Sequence, residues 1–565
     1  MAAPRVVIIG GVAAGPKAAA KIVRLLPDAD VTVLERGTFL SYSGCGLPYY
    51  VSGTVRDQAA LMSTPAGVLR DEAFFLNVKN VHVHSRTVAL SIDRTRQVVH
   101  ALSHDDGMER SFEYDQLILA TGATPIHPPI PGVDLRNVFA VHRVEDAEGI
   151  RTLLARPRPL DVVIIGAGFI GAETTEALVA SGCRVTVVEM LPQILPMLDP
   201  DMAWHVAAHM EAKGVRVLTG TRVMAILPRT AEPGEVGAVE TTGGSIPADM
   251  VILAVGVRPN VDLAREAGLV IGETGAIQVD DHLRTSDPHI YAAGDCAQSR
   301  NLVTGRPAWV PLGSTANKQG RVAAINVCGG DDVFRGVLGT GIFKVFDDSV
   351  ARTGLSEKEA REAGFDVVTA LTPGDDKPDY MPDARLIMLK SVADRATRRL
   401  LGVQAVGPGD GARRIDIAAM AITAGMTVDA LAEADISYAP PYSPAMDNII
   451  VAANVLRNKI DGVVEGLAPH TVKAMMDAGA PILLLDVRGP KEVAQLAIPG
   501  ATNIPLGALR RRLAELPSDR RIVAFCKVSL RGYEAALIAR AAGHSDAAFL
   551  DGGIVMWPFE TVTVA

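Results

Sequence analysis

With 565 residues, 48% of them hydrophobic and 21% charged, the chain is too long for one core and divides into several domains. A net charge of −9 argues against a general nucleic-acid binder, and apolar runs such as RVVIIG and DVVIIG are too short to cross a bilayer. Five cysteines, at 45, 183, 296, 328 and 526, are widely spaced without a CxxC pair; this argues against a disulfide scaffold or metal site and for a reducing, cytoplasmic setting, and the early first strand leaves no room for a secretory leader.

Residues 5–9, RVVII, read as a buried parallel strand, followed by the turn GGVAAG and the helical run PKAAAKIVRLL. The strand DVTVLE then closes a βαβ unit at Glu35, 20 residues beyond Gly15. Gly10 suits the tight turn, Gly15 lets the helix pack close, the helix N-terminus faces a pyrophosphate and Glu35 accepts from a ribose hydroxyl. Val12 stands at the usual second glycine, and an ordinary packing turn is the alternative. SYSGCGLPYY, residues 41–50, sets Cys45 between two glycines: either an inert thiol in a tight turn or a redox centre without a partner cysteine. A helix expected to begin near Gly46 would favour its thiolate through the N-terminal dipole.

YDQLILATGATP, 114–125, puts a strand before a glycine turn, as does ADMVILAVGVRPN, 249–260. Between them DVVIIGAGFIGAE supplies Gly166, Gly168 and Gly171, and RVTVVE ends at Glu189. A carboxylate there binds ribose hydroxyls and repels a 2′-phosphate, which favours NADH over NADPH. HIYAAGDCA places Asp295 after a strand and Gly294, suited to a ribityl hydroxyl.

Together these segments resemble the flavin- and pyridine-nucleotide-dependent disulfide reductases. The resemblance implies an α/β chain with two Rossmann-like dinucleotide-binding domains. FAD is expected on residues 1–150 and 256–325, and NAD on 151–255. Arg36, Ser43, Thr121 and Gly122 join the expected FAD contacts, and WVPLGSTANKQGRVAA adds the backbone of Thr315 and Ala316 at a helix start. SYSGCGLPY is similar to the signature of the single-cysteine branch, which includes coenzyme A-disulfide reductases, persulfide reductases, NADH peroxidases and NADH oxidases; Ser41 and Tyr49 match around Cys45. There the external substrate's sulfur replaces a second cysteine. Lys21 and Arg24, one turn apart, are candidates for coenzyme A phosphates, or a solvated helix face.

DISYAPPYSPAMDNI, 435–449, resembles the loop that the coenzyme A-disulfide reductase branch brings from its other subunit. Tyr438 carries over most directly, and Tyr380 in DKPDYMPDA resembles a second tyrosine used there; interface packing is the alternative. A homodimer follows, with an α+β dimerisation domain over 326–455. From 465 to 565 the order DVR, IPGATNIPL, CKVSLR and LDGGIVMW resembles a rhodanese-like α/β domain, in which Cys526 carries sulfane sulfur and Lys527 and Arg531 add positive charge. Ser529 replaces a glycine of the family's loop, Gly532 replaces a serine, and a docking module is the alternative.

The expected activity is an NADH-dependent flavoprotein that reduces coenzyme A persulfide, polysulfide or related disulfide sulfur at Cys45. Coenzyme A-disulfide reductase, NADH oxidase or peroxidase, and a redox-responsive binding protein follow as alternatives. No metal, nucleic acid or membrane partner is expected.

Overall fold

The computed structural model describes residues 4–230 and 232–563. The chain forms two compact units, one of residues Met1–Pro192 with Gly214–Val337, the other of Gln193–Lys213 with Leu338–Ala565.

In the first unit, short continuous apolar runs give strands buried on both faces, as parallel sheets require. Arg5–Ile9 lies at the centre of a five-stranded parallel sheet ordered Ile290–Ala292, Gln116–Leu119, Arg5–Ile9, Asp30–Leu34, His82–His84. The chain leaves Arg5–Ile9 first to one side and later returns on the other. Such a reversal opens a crevice at the strand's carboxyl end, where Gly10 lies. A second parallel sheet repeats the plan around Asp161–Ile165, ordered Arg216–Leu218, Arg184–Val188, Asp161–Ile165, Met250–Leu253, Val138–Phe139. Its edge strand Val138–Phe139 comes from ahead of residue 151, the expected start of that domain, because its backbone pairs with Met250–Leu253.

Helix Ala14–Leu25 packs against helix Gly313–Val327 through small residues: a Cβ on Gly320 would lie 2.4 Å from the Ala14 carbonyl oxygen. This close approach carries the distant 313–327 segment back to the first crevice.

The second unit holds a five-stranded antiparallel sheet, ordered Gly341–Val345, Asp348–Gly354, Leu400–Gly407, Leu386–Asp394, Val367–Asp375. Helix Pro200–Ala212, expected with the second dinucleotide domain, packs on this sheet instead. Buried Lys390 explains why: its Nζ lies 2.8 Å from Asp201, 3.3 Å from Asp199 and 2.9 Å from Glu357, so one ammonium serves three carboxylates. A parallel five-stranded sheet follows, ordered Glu465–Leu467, Ala548–Leu550, Arg521–Phe525, Ile482–Asp486, Thr502–Asn503. The two sheets are joined by a buried ion pair, Lys459 Nζ to Asp551 Oδ2 at 2.6 Å; Lys459 also donates to Thr369 O, and Leu371 N–H donates to the same Asp551 oxygen.

Candidate functional site

At the first crevice Gly10 adopts φ +117°, and a Cβ there would lie 2.0 Å from Ala120 O; one on Gly15 would lie 1.9 Å from Gly10 O. No other residue fits that turn. Both Glu35 oxygens take backbone donors, from Gly11 N at 2.6 Å and Gly37 N at 2.7 Å, which fix the carboxylate at the strand end. Gly294 lies between two helix starts: a Cβ on it would meet Ala14 Cβ at 3.1 Å and Ala316 Cβ at 3.5 Å. Gln319 accepts from Gly294 N at 2.8 Å and holds that junction. Thr315 and Ala316, both buried, occupy the first turn of Gly313–Val327. Next to them the Asp295 carboxyl is pushed up to about 6 by burial, and takes no hydrogen bond from the described residues. A half-buried carboxyl without a donor, between two helix N-termini and beside a glycine turn, fits the ribityl and pyrophosphate parts of FAD.

Thr121 and Gly122 lie at the neighbouring turn, Gly122 with φ +69°. Asn260 clamps that turn: it donates to Thr121 O at 2.7 Å, and Thr124 Oγ1 donates to Asn260 Oδ1 at 2.7 Å. Asn260 was absent from the expected site, although it ends the GVRPN segment. Exposed Arg36 reaches Thr124 Oγ1 at 3.5 Å. Lys21 and Arg24 lie farther along Ala14–Leu25, half-buried and exposed respectively.

Cys45 occupies a single 3-10 turn, Gly44–Gly46, followed by helix Leu47–Val51. Ser41 N donates to Gly11 O at 2.8 Å, which ties this segment to the first crevice, and Ser43 N donates to Leu61 O at 2.9 Å. Ser41 takes a left-handed φ of +48°, and its carbonyl accepts from Arg70. The helix is anchored by Tyr50, whose ring lies under the Arg151 guanidinium and whose hydroxyl donates to Glu148. Cys45 is exposed, and all five cysteines are free thiols.

The expected lowering of the Cys45 thiol is not found. A five-residue helix offers little dipole, and the protein pushes the thiol up through partial burial, then the Glu173 and Asp295 charges. Glu173 lies on helix Phe169–Ala180, which packs on Leu47–Val51. Its own carboxyl is pushed up to about 7 by burial and then by Glu176. Sequence reasoning missed Glu173; the signal was its place two residues beyond Gly171, in GAE.

The second turn repeats the first. Gly166 has φ +97° and would meet Ala254 O at 2.5 Å, and Gly171 would meet Gly166 O at 2.3 Å. Nothing lies within 4 Å of a Cβ on Gly168, so the packing of the turn does not itself demand glycine there. Glu189 accepts from Ala167 N at 2.8 Å and Leu191 N at 2.9 Å, the counterpart of Glu35.

In the second unit Tyr380 and Tyr438 are exposed and lie near each other; partial desolvation and then Tyr438 push the Tyr380 hydroxyl up. Cys526, buried, ends the central strand Arg521–Phe525 and opens the loop to helix Leu530–Ala541. Ile554 N donates to Cys526 O at 2.9 Å and Val555 N to Lys527 O at 3.1 Å. Because C=O and N–H point oppositely in a trans peptide, the Lys527 and Val528 N–H groups face away from that segment, as a nest for an anion requires. Arg531, whose charge acts on Cys526, is held by a two-pronged pair with Glu492 at 2.7 and 2.8 Å, which holds that carboxyl down at about 2. The expected positive charge from Arg531 is therefore largely spent on Glu492, a partner the loop motif does not reveal. Lys527 is exposed.

Among the described residues no helix is long and apolar enough to cross a membrane, and no group of three or more His, Cys, Asp and Glu is placed to hold a metal ion.

Comparison with known proteins identifies the family and the domain order. The pyridine nucleotide-disulphide oxidoreductase family matches residues 4–320, its dimerisation domain 341–450 and a rhodanese-like domain 468–558. The NAD(P)H sulfur oxidoreductase (CoA-dependent) of Pyrococcus abyssi is 41% identical over 453 residues, 80% of this chain and 98% of its own. A NAD-dependent persulfide reductase from A. fulgidus superposes with a TM-score of 0.93 at 44% identity, over 98% of this chain and 100% of its own. The reduced CoADR-RHD of Bacillus anthracis gives 0.91 at 34%, over 99% and 98%.

Proposed function

Because the chain belongs to the pyridine nucleotide-disulphide oxidoreductases, with their dimerisation domain and a rhodanese-like domain attached, we propose that it uses NADH to reduce the sulfur–sulfur bond of coenzyme A persulfide or polysulfide at Cys45. The observation that carries this reading is an exposed, unpaired thiol tethered through Ser41 to the Gly11 turn of the first dinucleotide crevice.

Gly10, Gly15, Glu35, Arg36, Ser43, Thr121, Gly122, Asp295, Thr315 and Ala316 hold FAD; Gly166, Gly168, Gly171 and Glu189 hold NADH. The Cys45 thiolate attacks the inner sulfur of the persulfide, forms a mixed disulfide with coenzyme A and expels sulfide. With coenzyme A disulfide the same adduct forms and coenzyme A leaves. Bound FAD supplies the two-electron relay from NADH that returns this adduct to two thiols. A protonated Glu173 removes one of the charges that oppose the thiolate, so its value of about 7 keeps both states accessible at neutral pH. Ser41, Lys21 and Arg24 contact the substrate, the two cations through its phosphates. Tyr380 and Tyr438 donate to the leaving sulfur from a second copy of the chain.

The dimer is supported by the matching dimerisation domain and by an apolar groove of about 820 Å³ lined by Ile417, exposed Met420, Ala424, Met426, Leu431 and Ile436. The rhodanese-like domain, with Cys526 as sulfur carrier, favours persulfide over plain coenzyme A disulfide. Steady-state NADH oxidation with coenzyme A persulfide, coenzyme A disulfide, peroxide and oxygen in parallel tests the reading: kcat/KM is expected highest with persulfide. Faster turnover with peroxide or oxygen overturns it.

A further inference from the structure

Ser529 is anomalous on three counts. Its φ of +90° is the most extreme among ten described non-glycine residues with positive φ, the other nine lying between 48° and 72°. It occupies the N-cap of Leu530–Ala541, a position where serine normally accepts from the first turn, yet its side chain makes no capping bond. Its Oγ is buried without a hydrogen-bond partner among the described residues. Strain and an unsatisfied hydroxyl at one residue persist only where the surroundings impose them, and such residues cluster at working sites. The surroundings here are the Cys526 loop, where Arg531 is paired with Glu492 and the Cys526 and Lys527 carbonyls are held by Ile554 N and Val555 N, which turns the Lys527 and Val528 N–H groups away from that segment.

We propose that the Ser529 hydroxyl donates a hydrogen bond to the terminal sulfur of a persulfide formed on Cys526, adding a donor beside Arg531, whose charge Glu492 offsets. The inference rests on Cys526 acting as a sulfur carrier. In the step served, the Cys526 thiolate attacks the outer sulfur of a thiol persulfide, R–S–SH. The donor's S–S bond breaks, R–SH leaves with the proton, and Cys526–S–S⁻ remains; the sulfane sulfur changes carrier without net oxidation.

The test uses the full-length, FAD-loaded chain with Ser529→Ala and Ser529→Gly, each checked for FAD content and melting temperature. Ala removes the hydroxyl and keeps a side chain at the strained φ; Gly removes both. Glutathione persulfide is the donor, and mass spectrometry of alkylated Cys526 reads loading across pH. Both variants are expected to hold about tenfold less persulfide at neutral pH, the scale of a hydrogen bond to a charged group, with the trapping profile displaced to higher pH. Normal loading in Ser529→Ala overturns the proposal, whether or not Ser529→Gly is impaired, since a defect in Gly alone belongs to the backbone. An unaltered chain that takes no sulfur on Cys526 overturns the carrier reading and this proposal together.

Discussion

Asp295 and Glu173 place raised carboxyls around one sulfur, and Asp295 can be tested without substrate. Its folded value, about 6 against an ordinary 3.8, means that the native chain holds the proton more tightly than the unfolded chain. Its contribution to stability therefore falls as pH rises between those two values. The cofactor-free Asp295→Asn chain is expected to melt above the unaltered one at pH 7.5, with the difference closing near pH 4, while FAD binds more weakly. A lower melting temperature at pH 7.5, followed by calorimetry, would contradict this. Asp295 was legible because GD follows a strand. Glu173 and Glu492 were not: each acts across space on a residue from another segment, and no local spacing records which carboxylate will arrive there.

The two glycine turns divide fold from function at the level of the strand–turn–helix unit. Gly10 is demanded by the packing itself, with its positive φ and the Ala120 carbonyl 2.0 Å from a Cβ, so Gly10→Ala is expected to abolish FAD incorporation and soluble expression. Gly168 faces open space. Gly168→Ala should fold and bind FAD normally, with KM for NADH raised about tenfold, the order expected when a backbone–phosphate hydrogen bond is obstructed. Unchanged NADH kinetics would remove Gly168 from the nucleotide site. Strands such as Arg5–Ile9 and Asp161–Ile165 could be read from sequence because burial on both faces leaves an unbroken apolar run. Helix Pro200–Ala212 could be read as a helix but not assigned to its sheet, since the Asp201–Lys390 contact spans 189 residues and has no periodic signature.

Across the whole molecule, the rhodanese-like sheet is fastened to the antiparallel sheet by Lys459 and Asp551, with side chains 9% and 2% exposed. Removing one partner leaves the other charge buried, at a cost of about 3–5 kcal/mol. Lys459→Met is therefore expected to split thermal unfolding, with an earlier transition for residues from 465 onward and proteolysis in the 461–464 connection. A single unshifted transition would show that the seam contributes little. Asp551 immediately precedes Gly552 and Gly553, and Ile554 carries the N–H that holds Cys526 O, so the fastening and the Cys526 loop share one stretch of backbone.

The central claim is that a solitary thiol takes coenzyme A as its temporary disulfide partner. Anaerobic mass spectrometry of Cys45 tests it most directly, on the FAD-loaded chain exposed to coenzyme A persulfide before and after one equivalent of NADH. The account predicts coenzyme A joined to Cys45 through a disulfide beforehand and a free thiol afterwards, with sulfide released in the first stage. A Cys45 that stays unmodified while NADH-dependent sulfide release proceeds would contradict it.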